Sequence, residues 1–87
     1  MDARRLVGWN LRRLRVERGL SQDALAADAE VDRAYVGKLE RGEENPTIGL
    51  LERLVAALNA PIGALFVQPQ RGEKPPKPLK GGRKKAS

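Results

Sequence analysis

Residues 20–42, LSQDALAADAEVDRAYVGKLERG, decide how the rest of the chain reads. They spell two short helices joined by a tight turn. Ser21 is a good N-cap, because its hydroxyl can accept an otherwise orphaned amide of the first turn. Leu25, Ala26 and Ala29 make a narrow apolar stripe, and Ala26 is small where two helices cross closely. Val31 plugs the turn. Asp32 is placed to cap the second helix, and a carboxylate also suits its positive end. Val36 and Leu39 mark that helix's inner face. Gly42 is placed to end it in a left-handed conformation. The outward face offers Arg33, Ala34, Gly37 and Lys38. Glycine and alanine between basic residues give away helix propensity, and close approach to another surface explains why such residues stand there.

Outward from this stretch the pattern is helical on both sides. Before it, Ala3 to Arg18 reads as a helix with Val7, Leu11 and Leu14 on one apolar face and Gly19 as its terminator. Gly8 lowers helix stability and implies close packing against a neighbour, and Trp9, the single tryptophan, reads as a packing residue. After it, Glu43-Glu44-Asn45-Pro46 is a polar loop. Thr47 caps a further helix running to about Asn59, with Ile48, Leu51, Leu54, Val55 and Leu58 as its apolar face. Pro61 suits the first turn of a short last helix through Phe66. No strand pattern appears. The expected fold is an all-α bundle of about five short helices.

Composition narrows the function. The chain has 87 residues, no cysteine and no histidine. Disulfides, thiolate metal sites, the commonest zinc ligand and the commonest general base are therefore absent. No carboxylates cluster toward a pocket, so no catalytic or metal-ligating residue is assigned and no cofactor is implied. No apolar run approaches the ~20 residues of a membrane span, and the expected location is the cytoplasm. Residues 1–67 carry ten Lys/Arg and ten Asp/Glu, whereas residues 68–87 carry seven Lys/Arg against Glu73, so the net +6 lies in the tail. A neutral domain can still present a basic face to an acidic partner. The tail, QPQRGEKPPKPLKGGRKKAS, cannot bury enough surface to offset its ordering entropy. The division expected is therefore a folded domain at 1–67 and a disordered, Pro/Gly/Lys-rich basic tail at 68–87.

The central stretch resembles the helix-turn-helix of the Cro and phage-repressor (XRE-like) family of DNA-binding regulators. The matching residues are Gln22 and Ala26, Val31 in the turn, Val36, then Leu39-Glu40-Arg41-Gly42, with Asn45-Pro46-Thr47 where that family's next helix begins. The likeness runs from about Leu6 to Phe66. One departure is Glu30, at a turn position where the family usually has glycine. That position tends to need positive φ, which costs a non-glycine residue about 1 kcal/mol or more.

The resemblance implies a lambda-repressor-like fold and a sequence-specific regulator of transcription, acting on double-stranded DNA as a homodimer at a palindromic site. The second helix of the motif would lie in the major groove. Arg33, Ala34, Gly37 and Lys38 would read bases, arginine and lysine favouring guanine and alanine a thymine methyl. Gln22 would grip a phosphate at a helix N-terminus. Tyr35, Arg41, Asn45 and Thr47 would run beside the backbone, with Glu43 and Glu44 pointing away. Arg15 and Glu40 would form a structural pair, modest in strength if one end is exposed. Ile62, Leu65, Phe66 and Val67 supply apolar bulk for a two-fold interface. The alternative is an antitoxin-type or other protein-binding regulator on the same fold, its tail engaging a protein partner.

Overall fold

Each helix begins where an extended residue offers a side-chain oxygen or a fixed φ to the turn that follows. The computed structural model describes residues 1–70 and 72–74. It contains α1 (Ala3–Glu17), α2 (Gln22–Ala29), α3 (Arg33–Glu40), α4 (Ile48–Ala57) and a 3₁₀ turn (Ile62–Phe66). Asp2, Ser21 and Thr47 accept the amides of Arg5, Ala24 and Leu50 at 2.9, 3.0 and 3.1 Å. Each satisfies one donor that the helix cannot. Asp32 stands at the N-cap of α3 in extended backbone, but its side chain makes no capping bond.

Left-handed residues end or turn the chain as expected. Gly19 and Gly42 have φ of 70° and 76°, and Asn59 has φ of 54°. Glu30, the non-glycine turn residue, takes φ 60° and ψ 47°. The last helix is a 3₁₀ turn of five residues rather than an α-helix. It is too short for i→i+4 bonding to accumulate, and it opens with Ala64 donating to the Pro61 carbonyl at 3.0 Å.

Two helices of eight residues are marginal on their own. They persist here because α2 and α3 pack on each other and are held by α1 and α4. α1 lies on the 3₁₀ turn and on α3, while α2 lies on α3 and α4. Leu11, Leu25, Val36, Leu39, Leu54, Leu58 and Leu65 are fully buried at the centre, each contributing about 1.5–3 kcal/mol by leaving water. Gly8 sits where α1 meets the end of α3. A Cβ there would fall 2.4 Å from the Leu39 carbonyl oxygen and 2.7 Å from that of Glu40. The two backbones are in direct contact, which is why α1 carries glycine mid-helix.

Two expectations about apolar residues are corrected. Ile48 is 61% exposed. It is the first residue of α4 and sits at the edge of the apolar face that begins in earnest at Leu51. Leu65 is 0% exposed. Its side chain belongs to the core of its own chain and is not available to a second copy.

Candidate nucleic-acid interface

α3 is fixed from below by an ion pair that has left water. Arg15 of α1 donates to the Glu40 carboxylate through Nε at 2.6 Å and Nη2 at 3.0 Å. The two side chains are only 6% and 4% exposed. The pair is therefore buried at both ends, not half-exposed. Arg15 Nη1 also donates to the Leu20 carbonyl at 2.8 Å. Gln22 Nε2 donates to Glu40 Oε1 at 3.1 Å. The start of α2, the end of α1 and the end of α3 thus share one charge-assisted network.

Above this network lies the outward face. Gln22, Arg33, Ala34, Gly37, Lys38 and Arg41 line one shallow concavity together with Asp32. Arg33, Ala34, Lys38 and Arg41 are exposed. Gly37 is not: it is buried beneath Gln22 and Arg41. A Cβ there would lie 3.5 Å from Arg41 Nη1 and 3.6 Å from Gln22 Oε1, which is ordinary contact. Gly37 therefore keeps the floor of the concavity low rather than touching a duplex from an open surface.

The arginines of this face are held by exposed carboxylates. Arg33 Nε lies 2.5 Å from Asp23 Oδ1 of α2, with 74% and 60% of the two side chains in solvent. Arg41 donates to Glu43 through Nε at 2.9 Å and Nη2 at 3.3 Å. That hydrogen bond, then the charge of Arg41 and of Lys38, holds the Glu43 carboxyl below the usual range, and it raises Arg41 further. Glu43 was expected to point away from this face. It instead folds back onto Arg41, because the single left-handed residue Gly42 separates them.

The remaining site residues fall elsewhere. Tyr35 and Thr47 line a neighbouring concavity with Val31, Leu50 and Arg53. Asp32 forms the rim between the two concavities. Burial, then the charge of Glu44, raises the Tyr35 phenol, so it is a hydroxyl donor at neutral pH. Thr47 uses its oxygen as a cap and keeps its O–H free to donate. Asn45 is exposed in the loop between α3 and α4. Of the apolar set at the chain's other end, Phe66 and Val67 are 44% and 53% exposed, and Ile62 is half-buried.

Two residues that shape these surfaces had no motif to reveal them. Asn10 is buried, and its Nδ2 donates to the carbonyls of Leu6, Leu65 and Val67 at 3.1, 2.9 and 2.8 Å. It fastens the 3₁₀ turn to α1 so that Phe66 and Val67 stay outside. Arg53 of α4 donates to the carbonyls of Ala29 and Glu30. It satisfies the exposed end of α2 at the strained turn. The sequence signal for Asn10 was a polar residue inside an apolar helical face. Arg53 gave none.

Comparison with known proteins agrees with this geometry. The model of the helix-turn-helix domain family matches residues 6–66. An uncharacterized HTH-type transcriptional regulator, y4dJ of Sinorhizobium fredii, is 47% identical over 58 residues, covering 67% of this chain and 75% of its own. The crystal structure of the hypothetical transcription factor NHTF from Neisseria is similar with a TM-score of 0.76 and 36% identity, covering 80% of each chain. The restriction-modification controller protein C.AhdI from Aeromonas hydrophila is similar with a TM-score of 0.70 and 40% identity, over 71% of this chain and 94% of that one.

Proposed function

The chain belongs to the helix-turn-helix family of DNA-binding transcriptional regulators of the Cro and phage-repressor type, non-enzymatic proteins, and on that premise we propose that it is a sequence-specific regulator acting as a homodimer at a palindromic operator. The observation that carries the reading is the outward face of α3. Arg33, Ala34 and Lys38 stand exposed on a helix whose backbone is locked from below by the buried Arg15–Glu40–Gln22 network. A helix fastened from below with solvent-exposed side chains suits a major groove, where arginine and lysine pair with guanine and a methyl meets thymine. Gln22, Arg41, Asn45 and Thr47 surround it with donors suited to phosphate, and Tyr35 adds a hydroxyl at its edge.

Dimerisation is assigned to Ile62, Phe66 and Val67, the apolar residues that the Asn10 clamp leaves outside the core. A two-fold contact there would set two α3 helices about one DNA turn, ~34 Å, apart. Of the expected basic tail, residues 71 and 75–87 lie outside the described residues. Its positive charge is proposed to lend phosphate attraction without base reading, on a folded domain ending near residue 67.

Selection of bound sites from random duplex DNA tests the reading, together with sedimentation of the wild type and of Phe66→Asp/Val67→Asp. A palindromic consensus, a wild-type dimer and a folded monomeric variant are expected. No enriched site, or a monomer on DNA, would overturn it.

A further inference from the structure

The arginines of α1 and its C-cap are not alike. Arg4 lies 3.9 Å from Asp2, Arg13 pairs with Glu17 at 3.3 Å and bonds Asn10, and Arg18 donates to the Leu58 carbonyl. Arg15 is consumed by Glu40. Among the described residues, Arg5 and Arg12 alone in this set have no carboxylate within 4.0 Å and no side-chain hydrogen bond. Arg12 Nε is moreover buried without any acceptor. A guanidinium N–H removed from water and left unpaired is costly unless a partner arrives.

These two residues share one stripe of α1. Positions 5, 8, 12 and 15 recur at helical spacing, so Arg12 lies between Gly8 and Arg15. That stripe runs along the end of α3. The Gly8 backbone touches the Leu39 and Glu40 carbonyls, and Arg5 packs against Gly42, its Cγ 2.7 Å from where a Cβ of Gly42 would stand. Arg5 therefore packs on the turn that follows the reading helix, and Arg12 follows on the same stripe of α1 between Gly8 and Arg15. Arg41 and Lys38 continue the positive surface from there onto the concavity.

We propose that Arg5 and Arg12 form a phosphate-binding flank that grips the duplex backbone beside the C-terminal end of α3. This deepens the regulator reading and rests on it. Guanidinium groups on a rigid helix, with no internal carboxylate to release, suit phosphate oxygens. Their place at the end of α3 bears on the backbone rather than on base edges, so the flank adds affinity and register without sequence preference. The competing role for Arg12 is internal, as a cation offsetting the negative end of α3.

The full chain is titrated by fluorescence anisotropy onto its selected site and onto a random duplex, across a range of KCl concentrations. Wild type is compared with Arg5→Ala, Arg12→Ala, the double variant, Arg5→Lys/Arg12→Lys, and Arg13→Ala as an equal charge loss off that stripe of α1. Each alanine substitution should lower the slope of log K against log salt by about 0.9. The loss should be equal on both duplexes, with the preferred site and the thermal midpoint unchanged. The lysine variant should keep most of the slope, and Arg13→Ala should not change it. A wild-type slope in the double variant overturns the flank, and so does a lowered thermal midpoint with an unchanged slope. A wild type that binds both duplexes equally would sink the sequence-specific reading instead, while the slopes still decide the flank. No DNA affinity at all would end both.

Discussion

On its inner side α3 is fastened by groups that have left water: Val36 and Leu39 are fully buried, and Glu40 is locked between Arg15 and Gln22. On its outer side Arg33 and Arg41 are held by Asp23 and Glu43 through ion pairs with more than half of each side chain in solvent. The first kind of contact is lost only at large cost. The second is worth about 0–1 kcal/mol and is screened by salt. One helix therefore has an inner side fastened by buried contacts and outer side chains held only by weak, exposed ones. That division is what docking into a groove requires, since orientation must be paid for before binding while base contacts must exchange partners during it.

The strongest way to break this contrast is to unlock the inner side. Glu40→Ala leaves the Arg15 guanidinium buried without its carboxylate, and about 3–5 kcal/mol of stability should be lost. Replacing both partners with apolar residues should recover a large part of that loss. Chemical denaturation of both variants measures it, and additive losses would mean that the pair does not act as a unit.

An outer-side substitution should do the opposite. Arg33→Ala should leave folding within about 0.5 kcal/mol of wild type. It should weaken the best site by about 1–3 kcal/mol and relax preference at one base pair per half-site. A library of single-base changes reads this directly. An equal loss on every sequence would reassign Arg33 to the backbone.

The turn between α2 and α3 sharpens the comparison, because it is strained yet supported. Glu30→Gly removes the left-handed penalty and should stabilise the domain by up to about 1 kcal/mol. Calorimetry would show a higher midpoint. A lower one would mean that Arg53, bonded to the Ala29 and Glu30 carbonyls, already over-determines this conformation.

The smallest effect concerns Glu43. Glu43→Gln removes a carboxylate from the edge of the face and frees Arg41, so binding to all sequences should tighten slightly at low salt and not at high salt. Acid gives an independent check on sign. The folded carboxyl lies below its ordinary 4.5, so what the pair adds is present above that value and is lost as pH falls through the lower one. Affinity between roughly pH 6 and 8 should therefore not titrate through Glu43. A Glu43-dependent change in that window would mean that its carboxyl is not held down.

The helices and their caps were legible because they follow from local rules. Ser21 and Thr47 announce two starts, and Gly19, Gly42 and Asn59 announce three left-handed ends. The apolar spacing of Val7, Leu11 and Leu14 names the buried face of α1. Even Glu30 was readable, because the family resemblance puts a residue of positive φ at that turn position, and Glu30 takes φ 60°. These features depend on a few neighbouring residues, and a periodicity records them.

What the tertiary structure decided depends on distance along the chain. Which apolar residues at the end were spare could not be read, because Leu65 and Phe66 are adjacent and equally apolar. Only packing against α1, with Asn10 reaching Leu65 and Val67, sends one inward and leaves the other outside. The same holds for charge. Arg5, Arg12, Arg13 and Arg15 look alike in sequence, yet one is buried against Glu40, one is occupied by Asn10 and Glu17, and two have no partner among the described residues. Partners 25 residues apart along the chain meet only when helices cross. A charge therefore becomes a strut or a free hand according to what folding brings to it.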